Sequence, residues 1–224
     1  MSIDVIFLGL DGVLFDTEAL HLAACNAAFA NAGLSVRWTV PALRAAAATH
    51  GYARAIASLA GMPLVASDKH RIAQLFEDKH REFHHALLAR PPQAHSTAMA
   101  LIEDASAAGC KICILTDLPS AAASALLARY FGADVNSIFS VVAGDCRFDG
   151  PAGTGPYAHA LHATGIAPDD AIVIDSSAPA LRAAAAMGMR TVPVAAYGIA
   201  HGAAQGAEVI RPRQFLAFDA LHAA

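Results

Sequence analysis

The stretch Val5-Ile6-Phe7-Leu8-Gly9-Leu10-Asp11-Gly12-Val13-Leu14-Phe15-Asp16-Thr17-Glu18 constrains this chain more than any other part of it. Val5 to Leu8 is apolar and rich in strand formers, which predicts a short buried strand. Asp11-Gly12 predicts a turn, and Asp16-Thr17-Glu18 a helix start. A strand that runs into carboxylates and glycine is where open α/β sheets place their chemistry.

The remainder falls into two regimes. From about residue 16 to 90 the pattern is helical, without a convincing strand. Glu18 to Ala32 carries Leu20, Ala23, Ala24, Ala27 and Ala28 at helical spacing, and Gly33 ends it. Val40 to Ala60 predicts a second helical region, broken around Thr49-His50-Gly51. Ser67 to Ala89 predicts a third, with Ile72, Leu75, Phe76, Phe83, Leu87 and Leu88 on its buried face and Arg90-Pro91-Pro92 as its stop. Beyond that, helices alternate with strands. The helices are expected over Thr97–Ala108, Ser120–Tyr130, Tyr157–Thr164 and Pro179–Met187. The strands are expected over Lys111–Leu115, Ile138–Val142, Ala171–Ile174 and Thr191–Val194. Such alternation predicts a parallel sheet covered on both faces, with the helical block inserted after the first strand.

The opening stretch closely resembles the first motif of the haloacid dehalogenase-like (HAD) phosphohydrolases, whose usual form is Asp-x-Asp-Gly-Val-Leu-x-Asp-Thr/Ser. Asp16-Thr17-Glu18-Ala19-Leu20-His21, with Asn26-Ala27-Ala28-Phe29, is similar to the branch of beta-phosphoglucomutases and CbbY-type sugar-phosphate phosphatases. The resemblance covers nearly the whole chain. It implies a doubly wound Rossmannoid α/β core (residues 1–15 and 91–224) with an inserted all-helical cap (residues 16–90).

It also implies a site, residue by residue. Asp11 matches the acid/base, Thr116 the hydroxyl that holds phosphate, and Asp175 the first acid of the magnesium motif. His21 and Arg54, the latter in Gly51-Tyr52-Ala53-Arg54, match cap positions, the Arg being associated with substrate phosphate. Three positions depart from the pattern. Gly9 stands at the nucleophilic aspartate, Ser176 at the second magnesium acid, and Pro151 where the Lys falls when the family's Lys-Pro-x-Pro-x-x-Tyr is registered on Tyr157. Lys111 opens the second core strand, at the opposite end of the sheet; Arg147, from the loop after the third, is the other cation considered.

Each departure has a chemical consequence. Glycine has no side chain to be phosphorylated, and losing a covalent nucleophile costs on the order of a millionfold in rate. Asp11 and Asp175 remain as magnesium ligands, but hard cations want several oxygen ligands, so affinity should fall. Asp117 follows Thr116, and with the Lys absent the cluster Asp11, Asp117 and Asp175 repels a phosphate dianion. Two like unit charges ~4 Å apart repel by about 1 kcal/mol in water and about 4 at an effective dielectric of 20. A neutral ligand or a cation suits such a cluster better.

Other readings stand beside these. Asp11 and Asp175 are read either as turn caps at strand ends or as residual ligand groups, and Thr116 as structural if no phosphate binds. Arg54 and His21 are read as packing residues ahead of substrate contacts. His80 and His84 have the i,i+4 spacing of a metal pair, but with no third ligand a solvated face is favoured. Cys110-Lys111-Ile112-Cys113 has redox spacing, yet Cys113 falls in an apolar strand and reads as a small buried hydrophobe.

Composition limits the partners. With a formal net charge of -4 and no dense basic cluster, nucleic acid is not expected. No apolar run reaches the ~20 residues of a membrane span, and the start lacks the basic region of a signal peptide, so a cytoplasmic protein with reduced thiols is expected. Hydrophobic residues are 56% and charged residues 15%, against an average of roughly 25% charged, which suggests an apolar contact surface. The function expected is a HAD-fold protein that has lost phosphatase chemistry and binds a small molecule or a protein partner. The alternative is a weak phosphohydrolase using Asp11 on a small phosphorylated metabolite.

Overall fold

A computed structural model describes residues 3–46, 69–148, 153 and 155–194. The first strand, β1 (Val5–Leu8), is buried along its whole length, as expected of a central strand flanked on both faces. It is followed by β2 (Phe15–Asp16), α1 (Glu18–Asn31) and α2 (Lys69–Ala89), then β3 (Gln93–Ala94), α3 (Ser96–Ala107) and β4 (Lys111–Leu115). Next come α4 (Ser120–Phe131), β5 (Phe139–Ala143), α5 (Pro156–Thr164), β6 (Ala171–Asp175), α6 (Ala178–Ala186) and β7 (Arg190–Pro193).

The main sheet has the order β5-β4-β1-β6-β7, and all its pairings are parallel. The chain runs outward from β1 through β4 to β5, then returns to the other side of β1 for β6 and β7. That reversal puts a crevice at the carboxyl ends of β1 and β6, where open sheets bind ligands. Alternation places Val5, Phe7, Cys113, Leu115, Ala171 and Val173 on one face, packed with Tyr157, Ala160 and Leu161 of α5 and Ala184 of α6. Ile6, Leu8, Ile112 and Ile114 point to the other face and are buried too.

The chain divides into two compact units, residues 1–16 with 93–224, and residues 17–92. In the second unit α1 carries Cys25, Ala28 and Phe29 into a core with Trp38, Leu43, Ala46 and Leu75. Asn26 fixes the chain after α1: its amide donates to the Trp38 carbonyl and accepts from the Trp38 N–H. Residues 40–46 are helical, and the rest of the expected second helical region lies outside the described residues.

The structure corrects the sequence expectations at three places. Phe15–Asp16 and Gln93–Ala94 form a two-stranded antiparallel pair where no strand was expected, since two residues carry no readable alternation. The third core strand begins one residue late, at Phe139, because Val135–Ile138 closes as a helical turn. Among the described residues no helix is long and apolar enough to cross a membrane. Leu88, expected on the buried face of α2, is exposed instead, the one large apolar side chain found so among the described residues.

Candidate active site

The register of the central strands sets up the crevice. Leu8 pairs with Ile114 on one side and Ile174 on the other, and the Gly9 N–H continues the ladder to the Ile174 carbonyl at 3.0 Å. Gly9 and Asp175 are therefore neighbours, each one residue past a paired position. Their closeness is extreme. A Cβ on Gly9 would lie 2.8 Å from the Asp175 Cγ and 2.8 Å from Oδ1, distances that real Cβ atoms essentially never show, and 3.0 Å from Oδ2. The Asp175 carboxyl fills the volume that any side chain at position 9 would need.

Its surroundings are nearly closed. Asp175 is 6% exposed, and its Oδ1 accepts the Ser177 N–H at 2.8 Å. Burial raises its pKa from 3.8 to about 7, and the charges of Asp117 and Asp11 push the same way against bonds from the Ser177 and Ser176 amides. The expected cluster of Asp11, Asp117 and Asp175 thus acts together on Asp175, and near neutral pH it lowers its own charge by holding a proton. Asp11 is half-buried and Asp117 exposed.

Ser176 has a definite role. Its hydroxyl donates to the Asp11 backbone carbonyl at 2.7 Å, tying the loop after β1 to the end of β6. Thr116 is buried, and its hydroxyl accepts the Leu118 N–H at 3.2 Å, closing a local turn. Its backbone joins the loop after β5 through Thr116 N–H to the Ala143 carbonyl and Cys146 N–H to the Thr116 carbonyl.

These bonds bear on magnesium, which the resemblance implies at Asp11 and Asp175. A hard cation needs ionised, outward-facing oxygens. Here Gly9 and Ser176 supply no carboxylate, Asp175 is buried with its pKa raised to about 7 and its Oδ1 turned to the Ser177 N–H, and the Asp11 carbonyl already accepts the Ser176 hydroxyl. The donor set does not fit the ion.

The remaining residues fall elsewhere. Arg54 and Pro151 lie outside the described residues. His21, in the helical unit, is buried and stacked on Phe83 with ring centroids 4.4 Å apart. His80 packs edge-on against Phe76 at 4.2 Å. Lys111 donates to the Thr164 carbonyl at 2.6 Å, at the far end of the sheet as expected. Arg147 is exposed on the wall of a groove of about 650 Å³ shared with Val141, Ala143 and His159. Cys113 is buried with its thiol pushed up to about 11, and all four cysteines are unpaired.

Two residues were missed from sequence. Lys79 is 2% exposed, with its ammonium 5.8 Å from the Phe76 ring centroid and 5.5 Å from that of Phe83. Its spacing from Leu75 and Phe83 put it on the apolar stripe of α2, a signal that was readable. Asp145 accepts from the Ser120 N–H and hydroxyl at 3.0 and 2.8 Å. Nothing in the local pattern links residues 120 and 145.

Comparison with known proteins agrees with this fold. The haloacid dehalogenase-like hydrolase family matches residues 3–188. The plasmid-encoded protein CbbY of Cupriavidus necator is 30% identical over 210 residues, covering 91% of this chain and 82% of that protein. The crystal structure of CbbY from Rhodobacter sphaeroides in complex with phosphate superimposes with a TM-score of 0.75 at 26% identity over 95% of each chain. A mutant of that CbbY in complex with xylulose-(1,5)bisphosphate gives the same TM-score at 25% identity, again over 95% of each chain. With its doubly wound parallel sheet, its helical insert after the first strand and its acidic crevice at the ends of β1 and β6, the chain belongs to the haloacid dehalogenase-like hydrolase family.

Proposed function

We propose that this chain is a HAD-like hydrolase homologue that has lost phosphatase chemistry and works as a binding or regulatory module for a small neutral molecule or a protein partner. The observation that carries this reading is the pairing of Gly9 with Asp175. Position 9 offers no nucleophile, and the one carboxyl beside it is 6% exposed and turned into the space of the missing side chain. A phosphate dianion would meet Asp11 and Asp117 at this end of the sheet, while Lys111, fixed on the Thr164 carbonyl, supplies no charge there. The unpaired cysteines support placing the module in the reducing cytoplasm.

The alternative, weak hydrolysis, would fall to Asp11, half-buried at the strand end and able to activate water directly. A phosphatase assay with magnesium over a phosphoester panel separates the two. The panel includes xylulose 1,5-bisphosphate, because a relative binds it. Turnover below about 1 per second on every substrate, unchanged by Asp11→Asn, is expected. Faster turnover that Asp11→Asn abolishes would replace this reading with the hydrolase one.

A further inference from the structure

We infer that the crevice at the ends of β1 and β6 is a self-closed cluster that excludes a divalent cation, because a side chain at position 9 and the inward-turned Asp175 cannot coexist. This deepens, and rests on, the proposed loss of phosphatase chemistry.

Three contacts carry it. The Asp175 Cγ and Oδ1 stand 2.8 Å from where a residue-9 Cβ would sit. The Ser177 N–H holds Oδ1 in that position at 2.8 Å. The Ser176 hydroxyl, at 2.7 Å, occupies the Asp11 carbonyl. Gly9 and Ser176 are thus compatible replacements. Removing the side chain at 9 opens a space, Asp175 turns into it, and the serine hydroxyl takes the carbonyl oxygen that would otherwise face a cation. Each oxygen drawn into the protein is less open to an ion that needs about six oxygen ligands. The Gly9 N–H stays in the ladder, so the backbone is undisturbed and the closure involves side chains alone.

Two measurements on the full chain test this. In the first, magnesium is titrated into the wild type by calorimetry, with thermal unfolding followed in parallel. No saturable heat and no rise in melting temperature at millimolar magnesium is expected, and binding indifferent to Asp175→Ala gives the same answer. Saturable binding that Asp175→Ala removes overturns the closure. In the second, Gly9→Ala is made in the wild type and in an Asp175→Ala background. The melting temperature should drop by several degrees in the first and hardly at all in the second. If Gly9→Ala does not fold, the double variant should. Equal drops in both backgrounds, or a double variant that also fails to fold when Asp175→Ala folds, overturns the exclusion. Failures of the two proposals are distinguishable. Magnesium bound through Asp175 without turnover sinks only the closure, whereas metal-independent turnover abolished by Asp11→Asn sinks only the loss of chemistry.

Discussion

Asp175 combines a buried carboxyl, a neighbouring glycine that leaves room for it and two carboxylate neighbours, and its burial gives the folded state a pH dependence of definite sign. Its pKa rises from 3.8 to about 7 on folding. Between those values the folded chain binds the proton more tightly than the unfolded chain does. Relative to alkaline solution, the resulting stability is fully present below 3.8 and is lost as the pH rises through about 7. The upper bound is on the order of 4 kcal/mol. Unfolding by denaturant in chelator-containing buffer at pH 5 and pH 8 measures it. Wild type should lose more stability across that interval than Asp175→Asn, which cannot titrate; identical losses would mean that Asp175 is ionised in the fold throughout. At this scale the sequence was half legible. The departures at Gly9 and Ser176 could be read from the motif, because each is a missing carboxylate. Where Asp175 goes could not, because the contact joins residues far apart in the chain and depends on a side-chain rotamer chosen by the vacated space.

The junction between β5 and α4 shows how an element is anchored from outside itself. Helix α4 begins after Pro119, which offers no side-chain acceptor for the free amides of the first turn. Asp145, in the loop after β5, supplies one by accepting from the Ser120 N–H and hydroxyl. To do so it adopts a left-handed backbone, φ 55°, while its N–H donates to the Leu118 carbonyl at 2.7 Å. Gly144 lets the loop come that close, since a Cβ there would meet the Ser120 Cα at 2.6 Å and the Leu118 carbonyl oxygen at 2.7 Å. Asp145→Ala removes a cap on an exposed surface and should cost about 1 kcal/mol. Gly144→Ala forces backbone against backbone and should cost more, about 1–3 kcal/mol or beyond. Equilibrium denaturation of both variants checks the order, and a milder effect at Gly144 would mean that the loop shifts freely. The helices and strands themselves were legible because apolar periodicity is a local signal: α1, α2 and β4 lie within two residues of their expected limits. The cap on α4 was not, because it is made by a residue from the next strand's loop.

For the molecule as a whole, the insertion point carries the most testable consequence. The chain leaves the α/β unit at Asp16 and returns at Gln93, and those residues are directly paired in the antiparallel β2–β3 ladder, with Phe15 opposite Ala94. Directly opposed residues in such a ladder have Cα atoms only about 5 Å apart, so the insert is spliced in where a hairpin turn would otherwise stand. The α/β unit has its own core, from Val5 and Phe7 through Tyr157 to Val173. The helical unit has a separate one around Phe29, Trp38 and Leu75. A domain with its own core can in general fold alone. Replacing residues 17–92 by Asn-Gly, the pair that favours a tight hairpin turn, should therefore leave an α/β protein that unfolds cooperatively and keeps its near-ultraviolet circular dichroism. A product with native-like secondary structure that binds a hydrophobic dye and melts without a transition would show that the sheet depends on the insert for its packing. If it folds as expected, the pH-dependent loss of stability assigned to Asp175 should persist in it, because Gly9, Asp11, Asp117, Ser177 and Asp175 all belong to the part retained.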